Sequence, residues 1–572
     1  MGYYIIIRKK DKINDSIVSC IVDGESEIGV NEIIEEGGKT YHVIVAGYIP
    51  RIGKTAKEKA QTLLSKYIDG TIDGNKLYGS YSLVIINQTD GDIMVVTDSF
   101  ASRVVWKYED SETIEYASDV RYLVRERKEK LTIDQATLYS FLVYQRAIGN
   151  HSMWNEIKSV MPGTIERYSK GGLNVEKYYK TQFTHSKKNV NKAAKEFVQL
   201  LKEVVSDICA DVAEPALMMG GGLDSRLVAA VSPKNVTCVT LADYKNLEAK
   251  SAGKVAQKAN LKWHFVERPS NLLADNFKEA TATSDAIHPW TNAHFLNINK
   301  ITNFKYDAAM TALLVDTFYK GLWISITYDY DDVGSYGANI EGMEKIILDL
   351  TPKKTDIDLF LDSQEIDKMY QYYKDAVREH CRYVLKFGDN IHDLVQLFWT
   401  SSINTGVAEF QNASSLRTVT SERTPFFDIR LNNFMRTMDP EIRKDSDFIK
   451  KCIKIADWRL WIMPTSNTML PVAAPSWVII VVEHIRPKLG HLKMKLFPKK
   501  VKTSSSWPSV SSLIKNNEKL KDELLSLKQM ADVLGFDKSK VEKYIDTCVN
   551  TGTRTLTFDS LVTFFSFMKQ LD

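Results

Sequence analysis

Apolar and polar positions along this chain change rhythm twice. Up to about Tyr179, short runs rich in Ile, Val and Tyr alternate with tight polar turns: Tyr3 to Ile7, Tyr81 to Ile86, Ile93 to Thr97 and Val104 to Tyr108. Asp-Gly punctuation such as Gln88-Thr89-Asp90-Gly91 bounds them, so they predict strands. Two segments of this half, Ala56 to Lys66 and Asp134 to Tyr144, have helical spacing instead. Layered sheets with helices outside fit that mixture better than a plain barrel.

From Gln182 to Lys192 the composition turns polar, which predicts an interdomain linker, and a long helical pattern starts near Ala193. Next come a strand (Pro215 to Met219), a glycine turn (Gly220 to Ser225), a helix (Arg226 to Val231) and a second strand (Val236 to Leu241). That βαβ order predicts a parallel, doubly wound sheet, whose ligands sit beyond the carboxyl ends of its strands. Past Pro487 a basic stretch (Lys488, Lys493, Lys495, Lys499, Lys500, Lys502) runs into Ser504 to Ser506, followed by amphipathic patterns over Ser512 to Leu534 and Lys538 to Cys548. We read this end as a solvated linker and a helical cap in preference to a lipid- or partner-binding patch.

A length of 572 residues calls for two large domains or three smaller ones. With 75 basic against 72 acidic residues the formal charge is +3. Nothing electrostatic asks for nucleic acid, and a small-molecule substrate is expected. Six scattered cysteines without CxxC spacing fit a reduced, cytoplasmic setting. The strongest apolar run, Trp477 to Val482, is too short for a transmembrane segment, and Met1 to Arg8 lacks a signal-peptide pattern, so a soluble protein is expected.

Met218-Met219-Gly220-Gly221-Gly222-Leu223-Asp224-Ser225-Arg226 carries the sharpest chemistry. Glycines between a buried strand and a helix let backbone N–H groups close on phosphate oxygens. A carboxylate at Asp224 would repel polyphosphate unless a divalent ion lay between them, so it is expected to ligate nucleotide-bound Mg²⁺. The loop lacks the lysine of a Walker A motif and the spacing of a dinucleotide fingerprint.

This loop resembles the SGGLDS pyrophosphate loop of asparagine synthetases and related N-type ATP pyrophosphatases, with Gly220 in place of the first serine and Arg226 after Ser225. Further segments match in order. Thr237 to Leu241 with Asn246-Leu247-Glu248 resembles the border of the adenosine site. Ala308 to Asp316 stands at the second, SGEGADE-like loop, Ser421 to Asp428 at ExRVPFLD, and Lys450 to Lys454 at the KxxxR helix. The resemblance implies ATP and Mg²⁺ as cofactors and an acyl-adenylate as intermediate. It implies a nucleotide site of Met218, Gly220, Gly221, Gly222, Leu223, Ser225, Arg226 and Leu241, a metal held by Asp224 and Asp316, and Lys450 at the leaving pyrophosphate. Arg423 and Asp428 are expected as a buried structural ion pair. Leu313 stands where the family often has its general base. Glu341, Glu344 and Glu409 are conceivable substitutes, and His288 and His294 are expected to be structural or substrate-lining.

The first half resembles the family's class II glutaminase domain. Lys76 to Ser82, Asp98 to Trp106, Tyr116 to Asp119 and Ser159 to Gly163 match its segments in order, implying an αββα sandwich. Gly2 occupies the place of the nucleophilic cysteine, Ala46-Gly47-Tyr48 replaces the usual NGE, and no DTE motif follows near Lys54 to Glu58. Glutamine hydrolysis is therefore not expected. Free ammonia, ammonia from a partner protein or an amine on a substrate would supply nitrogen, and a homodimer is equally compatible. The implied domains are 1–185, a glutaminase-like unit, 190–500, the ATP-pyrophosphatase unit, and 501–572, a helical extension. A degenerate paralogue that binds nucleotide or a partner without chemistry is the alternative, and a tRNA-thiolating enzyme is disfavoured by the lack of suitable cysteines and basic surface.

Overall fold

The computed structural model describes residues 2–8, 18–23, 27–180, 182–187, 189–330, 337–351, 355–407, 410–475, 478, 481–482 and 509–571. Two antiparallel sheets form its first half. The first runs β2 (Val18–Asp23), β1 (Gly2–Arg8), β8 (Thr113–Ala117), β7 (Trp106–Glu109) and β9 (Ile157–Ser159). The second runs β11 (Gly172–Lys177), β10 (Thr164–Ser169), β6 (Asp92–Thr97), β5 (Ser80–Asn87), β4 (Lys39–Tyr48) and β3 (Ile28–Glu36).

Side chains alternate across each strand, so one set can fill the space between the sheets and the other can meet a helix. Ile44, Val84, Ile86 and Val95 pack against Tyr3, Ile5 and Ile114 of the facing sheet. Val43, Val45, Leu83 and Ile85 point the other way, onto Leu63 and Leu64 of α1 (Ala56–Ile68). Burial on both faces is why β5 reads as a nearly unbroken apolar run. On the far side, Trp106, Tyr108 and Ala117 pack with α2 (Val120–Arg127) and α3 (Gln135–Tyr144), completing four layers of helix, sheet, sheet and helix. Thr55 and Glu58, in the segment that lacks a DTE motif, form the capping box of α1.

Helix α4 (Val190–Cys209) starts three residues earlier than its pattern predicts. The Asn189 side chain accepts from the N–H groups of Asn191 and Lys192, so the end of the expected linker becomes the helix's first turn. A five-stranded sheet of order β14-β13-β12-β15-β16 follows, parallel throughout: β12 (Pro215–Met218), β13 (Thr237–Ala242), β14 (Lys262–Glu267), β15 (Ala308–Met310) and β16 (Ser421–Glu422). The chain proceeds outward from β12 on one side and returns to β15 on the other. The switch point therefore opens a crevice beyond the carboxyl ends of β12 and β15.

The C-terminal helices depart from their expected lengths. The Ser512 to Leu534 pattern divides into Val510–Asn516, Glu518–Ser526 and a 3-10 turn over Leu527–Leu534, with Asn517 capping the second piece. A further helix, Leu556–Lys569, is buried on all sides from Thr557 to Met568. It packs against both α3 and the helix Phe277–Ala282, so it joins the first half to the second. Ser560 donates to the Phe141 carbonyl oxygen at 2.6 Å, and Ser566 pairs with Thr281 at 2.7 Å. The basic stretch past Pro487 lies outside the described residues. Among the described residues, no helix is long and apolar enough to cross a membrane.

Candidate active site at the carboxyl edge of the parallel sheet

The glycine loop leaves β12 at the switch point. The Met219 N–H donates to Val239 at 2.7 Å, and the Thr240 hydroxyl donates to Met219 at 2.8 Å, fastening the loop's base to β13. The turn tightens when the Gly220 N–H donates to Ser225 Oγ at 3.2 Å. Helix α5 (Asp224–Val231) then begins at Asp224, two residues before its predicted start, with Leu223 at the cap position and no side chain capping it. Uncapped first-turn N–H groups and the helix dipole make this end favourable for an anion.

The three glycines differ in their surroundings. A Cβ on Gly222 would meet open space, and one on Gly220 would stand 2.9 Å from Glu248 Oε1. One on Gly221 would collide with Ser466, whose Oγ would lie 2.4 Å away, and Ser466 also donates its N–H to the Gly221 carbonyl at 3.0 Å. The loop is thus open at Gly222 and covered at Gly221. Arg226, implied to be a phosphate ligand, is fully buried and donates to the carbonyls of Leu460, Met463 and Pro464 at 3.1, 2.9 and 2.8 Å. Its position in the first turn aims it inward, so it fixes the 460–466 segment against the loop.

Asp224 and Asp316, from neighbouring loops, come together around a residue that the sequence reading did not select. Lys320 Nζ lies 2.6 Å from Asp224 Oδ1 and 2.7 Å from Asp316 Oδ1. Burial pushes the Asp224 carboxyl up, to about 6; Lys320 opposes that rise and the adjacent Asp316 adds to it. The signal for Lys320 was present as an i,i+4 acid–lysine spacing from Asp316, a common helix-surface pattern that carries no chemistry by itself. Lys450 donates to Asp447 at 2.9 Å, and its helix, Asp447–Ala456, packs on α4 and α5. Among the described residues, no group of three or more His, Cys, Asp or Glu side chains is placed to hold a metal ion.

Beside the loop lies a cavity of about 200 Å³. Met218 and Leu241 form part of its wall, with Gly220, Glu248, Phe295, Thr311, Leu313 and Asn412 around them. Asn412 Oδ1 has no hydrogen-bond partner among the described residues. Leu313 places an apolar side chain where the resemblance would have a base. Glu341 and Glu344 pair with Arg378 on another helix face, and Glu409 lies outside the described residues. His288, hydrogen-bonded to Asn404, is held by burial down to about 4, and burial takes His294 to about 3, so both are neutral near pH 7. The expected Arg423–Asp428 pair does not form. Arg423 reaches Asp211 at 2.5 Å and Asp428 binds Arg430 at 2.8 Å, because the turn between them turns the two side chains to different elements.

A second cavity, of about 240 Å³, lies between the halves and is lined by Glu27, Arg103, Asp119, Asp285 and Arg417 among others. Asp98, in the first half, accepts from the N–H groups of Tyr81 and Phe100 at 2.9 and 2.8 Å and so shapes the segment that presents Arg103. Gly2 forms part of β1 and is paired with Asp23.

Residues 59–179 match the model of a glutamine amidotransferase domain. Among 26 solved chains that match is the allosteric regulatory enzyme of purine biosynthesis, at 10% identity and a TM-score of 0.21 over 46% of this chain and 74% of that one. Another is glutamine phosphoribosylpyrophosphate amidotransferase from B. subtilis, complexed with ADP and GMP, at 9% identity and a TM-score of 0.19 over 46% of this chain and 60% of the other. No curated protein matches. Residues 59–179 thus match a glutamine amidotransferase domain, which points to amide-nitrogen transfer.

Proposed function

We propose that the chain is an ATP-dependent, AMP-forming carbon–nitrogen ligase that activates a carboxylate as an acyl-adenylate and passes the acyl group to ammonia or an amine. One observation carries this reading. The uncapped start of α5, after three glycines, opens at the switch point of a parallel sheet, with two aspartates from adjacent loops within reach of one lysine.

In the first step a carboxylate oxygen bonds to the α-phosphorus and the α–β bridging bond breaks, so pyrophosphate leaves with the electron pair. In the second, nitrogen bonds to the acyl carbon, the bond to AMP breaks, and a proton leaves the nitrogen. Backbone amides from Gly222 to Ser225 cradle the phosphates, while Met218 and Leu241 wall the adenosine. Mg²⁺ arriving with the nucleotide supplies charge neutralisation for the leaving pyrophosphate. Asp224 and Asp316 would hold it, since this ion takes one or two carboxylates beside phosphate oxygens. Lys450, on the helix packed against α5, would neutralise charge on the leaving pyrophosphate. In this reading residues 1–185, 190–500 and 501–572 are the glutaminase-like, ATP-pyrophosphatase and helical units. Gly2 cannot form a thioester, so the nitrogen comes from free ammonia, a partner protein or a substrate amine.

The test is isotope exchange between pyrophosphate and ATP with Mg²⁺ and a panel of carboxylic acids. Exchange that depends on one acid and disappears in Asp224→Asn supports the reading, and no exchange with any acid counts against it. A second reading, nucleotide binding without chemistry, draws support from Leu313 and from Ser466 seated on Gly221. Calorimetric ATP binding with no turnover across the panel would favour it.

A further inference from the structure

Lys320 has no part in the chemistry proposed above, yet it is joined to both aspartates of the site. We propose that Lys320 is a built-in gate on the divalent-metal position: its ammonium group fills the space between Asp224 and Asp316 until a metal-chelated triphosphate arrives, so metal loads with nucleotide and not ahead of it. This inference rests on the reading of the loop as a nucleotide–metal site.

Charge and geometry support it together. Two carboxylates make a good seat for a divalent cation only while nothing else neutralises them. With one ammonium within 2.7 Å of each, the pair retains a single net negative charge and its inner oxygens are already engaged. A free, hydrated ion would have to displace that group unaided. Triphosphate oxygens change the balance, because they attract the ammonium while bringing the metal with them. The partners are also unequal: the side chains of Lys320, Asp224 and Asp316 are 14%, 22% and 71% exposed. Lysine's flexible stem can therefore release the more shielded Asp224 and keep the exposed Asp316 as its outer partner.

The backbone holds this arrangement deliberately. Residues Val315–Tyr319 form a wide turn closed by the Lys320 N–H on the Val315 carbonyl at 2.7 Å. Such π-type turns are uncommon and concentrate at functional sites. Leu314 precedes it at φ 75°, an unfavourable conformation for a branched side chain, and Gly321 follows at φ 62°. A Cβ on Gly321 would stand 2.8 Å from the Arg443 carbonyl oxygen, so the turn cannot relax toward that side.

The probe is Mn²⁺, its binding to the full chain followed by electron paramagnetic resonance with and without a non-hydrolysable ATP analogue. Wild type is expected to bind free Mn²⁺ only weakly without nucleotide, whereas Lys320→Met takes up one ion at least about tenfold more tightly. The double variant Lys320→Met/Asp224→Asn loses that ion, and Lys320→Arg behaves as wild type. Free Mn²⁺ binding by wild type as tightly as with the nucleotide overturns the gate, even if Lys320→Met fails to fold. So does a folded Lys320→Met that binds no more tightly than wild type. Failure of the ligase reading is seen separately, as absence of acid-dependent pyrophosphate exchange.

Discussion

Arg103 of the first half and Glu422 of the second form an ion pair of 3.0 Å across the junction between them, with side chains 2% and 0% exposed. The same guanidinium donates to the Glu422 main-chain oxygen, and Arg417 approaches the same carboxylate at 3.2 Å. Burial works against the Glu422 charge, but Arg103 and Arg417 outweigh it and hold the carboxyl below the usual glutamate range.

Arg103→Ala is expected to cost about 3–5 kcal/mol, the penalty for breaking a buried pair by removing one partner. Urea unfolding at neutral pH measures it. Because the folded-state carboxyl titrates low, the stability contributed by Glu422 is present above the ordinary glutamate range and is lost as pH falls through the lowered value. Wild type should therefore lose its advantage over Glu422→Gln on acidification, and parallel pH profiles for the two would contradict the pairing.

Arg226, itself buried, donates three hydrogen bonds to main-chain oxygens of the 460–464 segment. Arg226→Met should leave those carbonyls without their donor and destabilise the fold by about 3 kcal/mol. Hydrogen exchange should speed up selectively over residues 460–466. An equal change spread over the whole chain would indicate that the arginine does not tether this segment in particular.

Asp285 is half-buried and lines the cavity between the halves, and desolvation first, then the neighbouring Asp119, pushes its carboxyl up to about 7. A carboxyl raised in the folded state contributes stability below its unfolded value and loses it as pH rises through the folded one. Wild-type stability should thus fall between about pH 4 and pH 7 by an amount on the order of 3 kcal/mol from this group. Asp285→Asn should flatten that part of the thermal-melting profile and be the more stable protein at pH 8.

Phe565, in the buried helix Leu556–Lys569, is completely shielded from solvent. Phe565→Ala is expected to cost about 3–5 kcal/mol, through lost burial and the cavity left behind. Melting of the full chain checks it, and a loss below about 1 kcal/mol would show that the helix is not needed to hold the halves together.

Much of the fold was legible in local pattern. Alternation and turn chemistry located β1, β5 and β6, helical spacing located α1 and α3, and the strand–glycine–helix order predicted the parallel sheet. What escaped depends on three-dimensional neighbours. Arg226 looks like a phosphate ligand beside the loop until the 460–464 carbonyls appear around it. Lys320 looks like a solvated helix lysine until the two loops converge. Arg423 and Asp428 are close in sequence, but each is claimed by a residue more than two hundred positions away or by its own helix start. The last helix carried no amphipathic stripe because no face of it is solvated, so periodicity could not distinguish it from any other apolar segment.

That last helix also sets a schedule. A ribosome releases α3 and the helix Phe277–Ala282 long before it makes Leu556–Lys569, the piece that fits between them. Until that helix emerges the nascent protein presents two unmatched oily surfaces, which invites chaperone attention.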